Sequence, residues 1–169
     1  MELKKYPDEV LRVKCEPVRE IHDEQAERMR QMLDFMYEVE GVGLAGPQVG
    51  WAERIVTIDV EQSGQGPRIF VNPKIVEFDG EAEAEEGCLS LPGVRANVRR
   101  AERVTVITYT LRGKKIEIEA EGLLARAWQH ELDHLNGVLF IDRLEPSKVM
   151  SLKKDLRRLE GDIPEKADS

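Results

Sequence analysis

Cysteine is scarce in this chain, with Cys15 and Cys88 the only two in 169 residues. Two isolated thiols do not make a disulfide framework, and they fit a reducing compartment, where such a residue is a small buried hydrophobe, a ligand or a nucleophile. No apolar run approaches the length of a bilayer span, and Met1-Glu2-Leu3-Lys4-Lys5-Tyr6-Pro7 lacks the apolar core of a secretory signal. These absences predict a cytoplasmic protein with no membrane segment. Excess positive charge is missing too: the formal net charge of −8 argues against a general nucleic-acid surface, which needs a concentrated positive field. No Gly/Ser/Pro-rich linker divides the sequence, so one domain over 1–169 is expected.

Against that background stands Gln129-His130-Glu131-Leu132-Asp133-His134, which follows the apolar run Gly122-Leu123-Leu124-Ala125-Arg126-Ala127-Trp128. In a helix, His130 and His134 lie one turn apart on one face, where two imidazoles reach one metal ion, and Glu131 flanks it. Leu123, Ala127, His130 and His134 form one stripe; Leu124, Trp128, Leu132 and Leu135 pack the other flank, and Gly137 ends the helix. A centre that activates water needs a third protein ligand and an open position.

The second unusual stretch is Glu85-Glu86-Gly87-Cys88-Leu89-Ser90-Leu91-Pro92-Gly93, read as turn-forming. Two carboxylates beside Cys88 make it a poor free nucleophile, an objection that vanishes if a cation holds the thiolate. Cys88 is therefore the candidate third ligand, with Glu145 or Glu160 as acidic competitors; a histidine at metzincin spacing is excluded, because Phe140 stands there. Cys15 has no such setting and reads as a structural thiol. His22 precedes a helix and reads as a surface residue.

Gly41-Val42-Gly43-Leu44-Ala45-Gly46-Pro47-Gln48-Val49-Gly50 is an apolar glycine-rich loop, which suggests backbone packed closely against protein or ligand. It lacks the Lys-[Ser/Thr] of a phosphate loop, and a helix precedes it where a dinucleotide site needs a strand. That helix is predicted over 23–40 from the spacing of Ala26, Met29, Met32, Leu33, Met36 and Tyr37. Strands are expected at Arg54–Val60, Ile69–Asn72, Lys74–Phe78, Ala101–Leu111 and Lys115–Ala120, the last two as a hairpin around Arg112-Gly113. An amphipathic helix is expected over 147–160, followed by a flexible tail over 161–169. The fold class is α+β: small antiparallel or mixed sheets around a central buried helix bearing the two histidines, with helices near both ends.

Taken in order, Gly41-Val42-Gly43-Leu44-Ala45-Gly46-Pro47-Gln48, Glu86-Gly87-Cys88-Leu89-Ser90 and Gln129-His130-Glu131-Leu132-Asp133-His134 resemble the three motifs of bacterial peptide deformylases, as do Pro7-Asp8 with Leu11-Arg12 and the terminal helix. The resemblance implies a metal held by Cys88, His130 and His134, ferrous in the cell with Zn(II), Ni(II) or Co(II) able to substitute. It implies Glu131 as proton acceptor and Gln48 and the Leu89 backbone N–H as oxyanion donors. It further implies removal of formyl from formyl-methionyl nascent peptides, with Val42 and Gly43 as backbone partners and Val42, Leu123 and Ala127 around the methionine. Glu86 and Arg95 are expected to pair with each other or to touch substrate. The helix over 147–160 is a candidate ribosome-docking element, with no sequence-specific nucleic-acid contact. One departure stands out: the family usually has two alanines where this chain has Ala45-Gly46, and a local change in packing is expected from the missing methyl. Two readings remain beside it, a zinc endopeptidase that needs no Cys88 and a metal-stabilised binding module that needs neither Glu131 nor Gln48.

Overall fold

A computed structural model describes residues 1–161. The expected tail over 162–169 lies outside the described residues. Within them the fold is α+β, with helix α1 (Asp23–Glu38), strands β1 (Gly43–Ala45), β2 (Ile55–Ile58), β3 (Ile69–Asp79), β4 (Ala82–Cys88), β5 (Leu91–Arg100), β6 (Arg103–Tyr109) and β7 (Lys115–Glu121), and helices α2 (Gly122–Leu135), α3 (Pro146–Ser151) and α4 (Lys153–Glu160). A five-stranded sheet runs in the order β1-β2-β3-β6-β7 and a two-stranded one joins β4 to β5; every pair is antiparallel.

Helix α2 is central because the flank away from His130 and His134 is apolar. Ala125, Trp128, Leu132 and Leu135 bury against Val56, Phe70, Val104, Val106 and Ala120 of the large sheet, and Trp128 meets Phe70 edge-on at 4.8 Å between ring centroids. A second apolar cluster forms where Val94, Ala96 and Val98 of β5 meet Leu11, Phe140 and the C-terminal leucines Leu152 and Leu156. Met29, Met32, Leu33 and Met36 of α1 bury with Leu44 and Ile55 to close the far side. His22 is exposed at the start of α1, its N–H donating to Gln25 Oε1 at 2.9 Å.

Three expectations are corrected. The runs Ile69–Asn72 and Lys74–Phe78 are one strand, because the register slip between Val71 and Lys74 absorbs Pro73, which has no ladder donor. Asn72 takes φ 50 there and binds the Val18 backbone N–H and carbonyl, each at 2.8 Å. The stretch Glu85–Gly93 is a tight hairpin whose arms reach back to Ala82 and forward to Arg100. Its first arm, Ala82-Glu83-Ala84-Glu85, carries no apolar alternation by which a strand is recognised. Lastly, the C-terminal helix is two helices joined at Leu152, which turns inward and is buried.

The N-terminal segment lies across the loops of the site. The Lys4 N–H donates to the Gln48 carbonyl at 2.7 Å and the Tyr6 N–H to the Ser90 carbonyl at 2.8 Å.

Candidate metal centre

Glycine lets β7 turn directly into α2: Gly122 takes φ 59, and the helix then carries His130 and His134 on one face, 4.9 Å apart between ring centroids. The β4–β5 turn brings Cys88 to them. Its Sγ lies 3.3 Å from His134 Nε2, and donor atoms of Cys88, His130 and His134 all lie within 4.8 Å of one another. One thiol and two imidazoles at such separations suit a tetrahedral N/S site with one position open.

The ring nitrogens are sorted by their partners. His130 Nδ1 lies 2.9 Å from Glu86 Oε1, so Nδ1 carries a proton toward the carboxylate and Nε2 is left to face Cys88 and His134. Burial would raise the Glu86 pKa, but hydrogen bonds from Arg100 and His130 outweigh it and hold the carboxyl well below the usual carboxylate range. Burial works in the other direction on His130, where the bonds to Cys88 and Glu86 prevail and raise its pKa. For His134 burial dominates, reinforced by the charges of His130 and Arg100, and the pKa falls. His134 thus already favours the neutral form in which imidazole binds a metal, whereas His130 must give up its Nε2 proton to do so.

Glu131 is almost wholly buried, and burial pushes its carboxyl up to about 7. Its Oε2 has no hydrogen-bond partner among the described residues. A buried acceptor without a partner, next to three metal donors, fits a group that exchanges a proton with something bound in the cleft. Opposite it, Gln48 sits in the short 3-10 turn Gly46–Val49. Its Oε1 accepts the Ala45 N–H at 2.9 Å, which turns Nε2 toward Ser90 Oγ at 3.2 Å and Cys88 Sγ at 3.6 Å.

These groups open on a cleft of ≈ 620 Å³ lined by Val42, Gly43, Gln48, Cys88, Leu89, Leu123, Ala127, His130 and Glu131, with Glu86 and Arg95 also in its wall; His134 is fully buried and does not line it. A larger cleft of ≈ 1250 Å³ lies on the other side of α2 and is lined by none of Cys88, His130 and His134.

The expected pairing of Glu86 with Arg95 does not occur. Glu86 faces Ala96 across the hairpin while Arg95 faces Gly87, so the two side chains leave opposite faces. Arg95 pairs with Glu85 at 2.7 Å on the exposed side. On the inner side Glu86 accepts from Arg100 twice, each at 2.9 Å, and from Arg126 at 2.6 Å, besides His130. Both oxygens are thus used within the protein. Arg100 also donates to Asp133 at 2.6 Å, and Asp133 accepts from Arg143 at 2.7 Å. Sequence reasoning passes over Arg100, Arg126, Asp133 and Arg143. For Arg100 a signal exists: it continues the inward alternation of Val94, Ala96 and Val98, and a charge at an inward strand position demands a buried partner.

An α+β fold whose buried helix presents two histidines and a glutamate beside a cysteine defines a metal-dependent hydrolase. The family profile described as polypeptide deformylase matches residues 1–150. A peptide deformylase of Thermodesulfovibrio yellowstonii is 45% identical over 159 residues, covering 93% of this chain and 96% of that protein. One of Chromobacterium violaceum is 46% identical over 155 residues, covering 92% and 93%. The crystal structure of a peptide deformylase from Legionella pneumophila superposes with a TM-score of 0.88 at 43% identity, covering 96% of this chain and 98% of that one. For peptide deformylase 1B of Arabidopsis thaliana the TM-score is 0.91 at 34% identity, covering 99% of each chain. The chain belongs to the polypeptide deformylase family, a family of metallohydrolases.

Proposed function

We propose that this chain hydrolyses the N-formyl group from the N-terminal formyl-methionine of newly made peptides, releasing formate. The observation that carries the reading is the convergence of Cys88, His130 and His134 with the buried, unpartnered carboxylate of Glu131 in the wall of one cleft. Cys88, His130 and His134 hold the metal. Once bound, a divalent cation supplies the charge that lets water ionise near neutral pH. Glu131 takes the proton of the attacking water and returns it to the departing amine, a transfer suited to a carboxyl near 7. The Gln48 amide and the Leu89 N–H stabilise the oxyanion on the former formyl carbonyl.

The peptide adds to β1, the terminal strand of the large sheet. The Val42 carbonyl already accepts from the Asp59 N–H at 2.9 Å, so the peptide backbone meets Gly43 while Val42 offers its side chain. Val42, Leu123 and Ala127 border the methionine side chain, and Arg95 lies at the rim. Thiolate and imidazole ligands accept several divalent metals; Fe(II) is the proposed resident, with Zn(II), Ni(II) or Co(II) as substitutes. Residues 1–169 act as one domain in the cytoplasm, with the C-terminal pair α3–α4 docking on the ribosome. No helix among the described residues is long and apolar enough to cross a membrane.

The test is amine release from a formyl-Met-Ala-Ser peptide by protein prepared without oxygen and supplied with ferrous iron. Release abolished by chelation and by Glu131→Gln, with metal retained in that variant, is expected. Full activity in Glu131→Gln would overturn the mechanism, and undiminished metal affinity in Cys88→Ala would favour an endopeptidase-type site built on the histidines alone.

A further inference from the structure

The metal centre is assembled from two bodies. His130 and His134 ride on α2, while Cys88 rides on the β4–β5 hairpin, so the geometry of the ligand set depends on whatever ties hairpin to helix. Arg126 spans that junction. One helical turn before His130, its guanidinium crosses to both strands of the hairpin: Nη1 donates to Glu86 Oε2 at 2.6 Å and to the Val98 carbonyl at 2.8 Å, and Nη2 to the Ala82 carbonyl at 2.9 Å. Its side chain is 11% exposed, and the residue contributes to the wall of the catalytic cleft.

Charge alone does not explain a guanidinium here. Glu86 and Asp133 are already balanced by Arg100 and Arg143. Arg126 adds a third guanidinium beside a site that takes a cation, and by Coulomb's law its charge opposes metal binding. Its planar fork does offer what no other side chain can: three bonds in fixed directions to one carboxylate and two carbonyls on two strands. By engaging Oε2 of Glu86 it also leaves Oε1 aimed at His130 Nδ1.

We propose that Arg126 is a positioning residue of the metal centre, fixing the Cys88 arm against the histidine arm and holding Glu86 in register with His130. The inference rests on the assignment of Cys88, His130 and His134 as ligands. It predicts the sign of the effect. If Arg126 acted through its charge, removing that charge would tighten metal binding; acting through position, its removal loosens it.

The experiment compares wild type with Arg126→Met, which keeps the aliphatic stem in the cleft wall, and with Arg126→Lys, which keeps the charge but loses the fork. Arg103→Met, which breaks an ion pair with Asp79 on the outer face of the large sheet, serves as control. Proteins loaded with Co(II) are followed by the thiolate-to-metal absorption band and by metal loss to a chelator, below the unfolding temperature. Both Arg126 variants should release metal about 10–100-fold faster, the usual effect of losing a group that orients a ligand, with a shifted band. The control should do neither. With formyl-Met-Ala-Ser, kcat should fall in Arg126→Met while KM changes less than about twofold, since the stem remains. Unchanged or slower metal release in Arg126→Met, even with a lowered Tm, would overturn the proposal and leave Arg126 a structural clamp. Wild-type protein that lacks the thiolate band altogether would instead refute the ligand assignment beneath it.

Discussion

Gly43 and Glu131 are in contact so close that no side chain fits between them: a Cβ built on Gly43 would lie 2.9 Å from Glu131 Oε1 and 3.2 Å from its Cδ. The loop glycine thus shapes the seat of the buried carboxylate as well as the strand edge beside it. Because the obstructing atoms are the end of a side chain, the fold yields to a methyl group cheaply, but the carboxylate moves. Gly43→Ala should keep its metal and nearly all its stability while kcat falls by about 10²-fold, the cost of displacing a reacting group by a fraction of an ångström or more. Steady-state kinetics beside metal analysis would check it; an unchanged kcat would mean that the position of Glu131 is not critical.

Gly46 presents the opposite case. A Cβ there would meet the Trp51 carbonyl oxygen at 2.5 Å and that of Glu53 at 2.7 Å, both backbone atoms. The chain has closed over the space that a methyl would occupy, and the Trp51 N–H donates back to the Gly46 carbonyl at 2.9 Å. An alanine at this position should destabilise the protein by about 1–3 kcal/mol, as overpacking does. A urea titration of Gly46→Ala decides it, and a gain in stability would show that the 51–53 segment relaxes freely.

The buried charges behind His130 make a third prediction. Glu86→Gln removes the anion between Arg100 and Arg126, both largely buried. Breaking such a pair from one side costs about 3–5 kcal/mol, and Arg100 retains Asp133, so the lower end is expected. In the double variant Glu86→Gln/Arg100→Met part of the loss should return, because the more deeply buried of the two guanidiniums is gone, while Arg126 keeps its bonds to the Val98 and Ala82 carbonyls and Asp133 keeps Arg143. Additive losses in the denaturation midpoints would contradict this coupling.

Cys15 supplies a test away from the site. It is buried between the large sheet and α2, and burial pushes its thiol up to about 11, against a partial opposing pull from Arg54. A raised folded pKa means that the native state favours the protonated thiol more than the unfolded chain does. The stability this contributes is complete below the unfolded thiol pKa and is lost as pH rises through the folded one. Urea midpoints of the wild type should therefore fall between about pH 9 and pH 11, and those of Cys15→Ala should fall less. Parallel curves for the two proteins would remove Cys15 as the cause.

How far these relationships are legible in the sequence depends on their range. Helix α2 announces itself because His130, Glu131 and His134 interrupt an apolar period, and α1 because its methionines recur at three and four residues. The reading of Cys15 as a buried thiol, of His22 as a surface residue and of the 101–120 region as a hairpin agrees with the structure. The hairpin β4–β5 is hidden, since Glu83, Glu85 and Arg99 give it a polar face and its only buried position in β4 is a carboxylate. The pairing of Glu86 follows from that hidden register, so sequence proximity to Arg95 misleads. The role of Gly46 is invisible for the same reason: what fills the space of the missing methyl is backbone five to seven residues further on.

The N-terminal segment hydrogen-bonded across the loops of Gln48 and Ser90 has a consequence for how the protein is made. Those loops, and the Cys88 between them, leave the ribosome long before His130 and His134 do. A two-histidine site that waits for the last third of the chain cannot nucleate folding; it can only be completed by it. The set of Cys88, His130 and His134 is complete only once α2, which follows all seven strands in the chain, has been made. A nascent copy of this protein thus spends most of its synthesis without the two histidines on which the Cys88 arm converges.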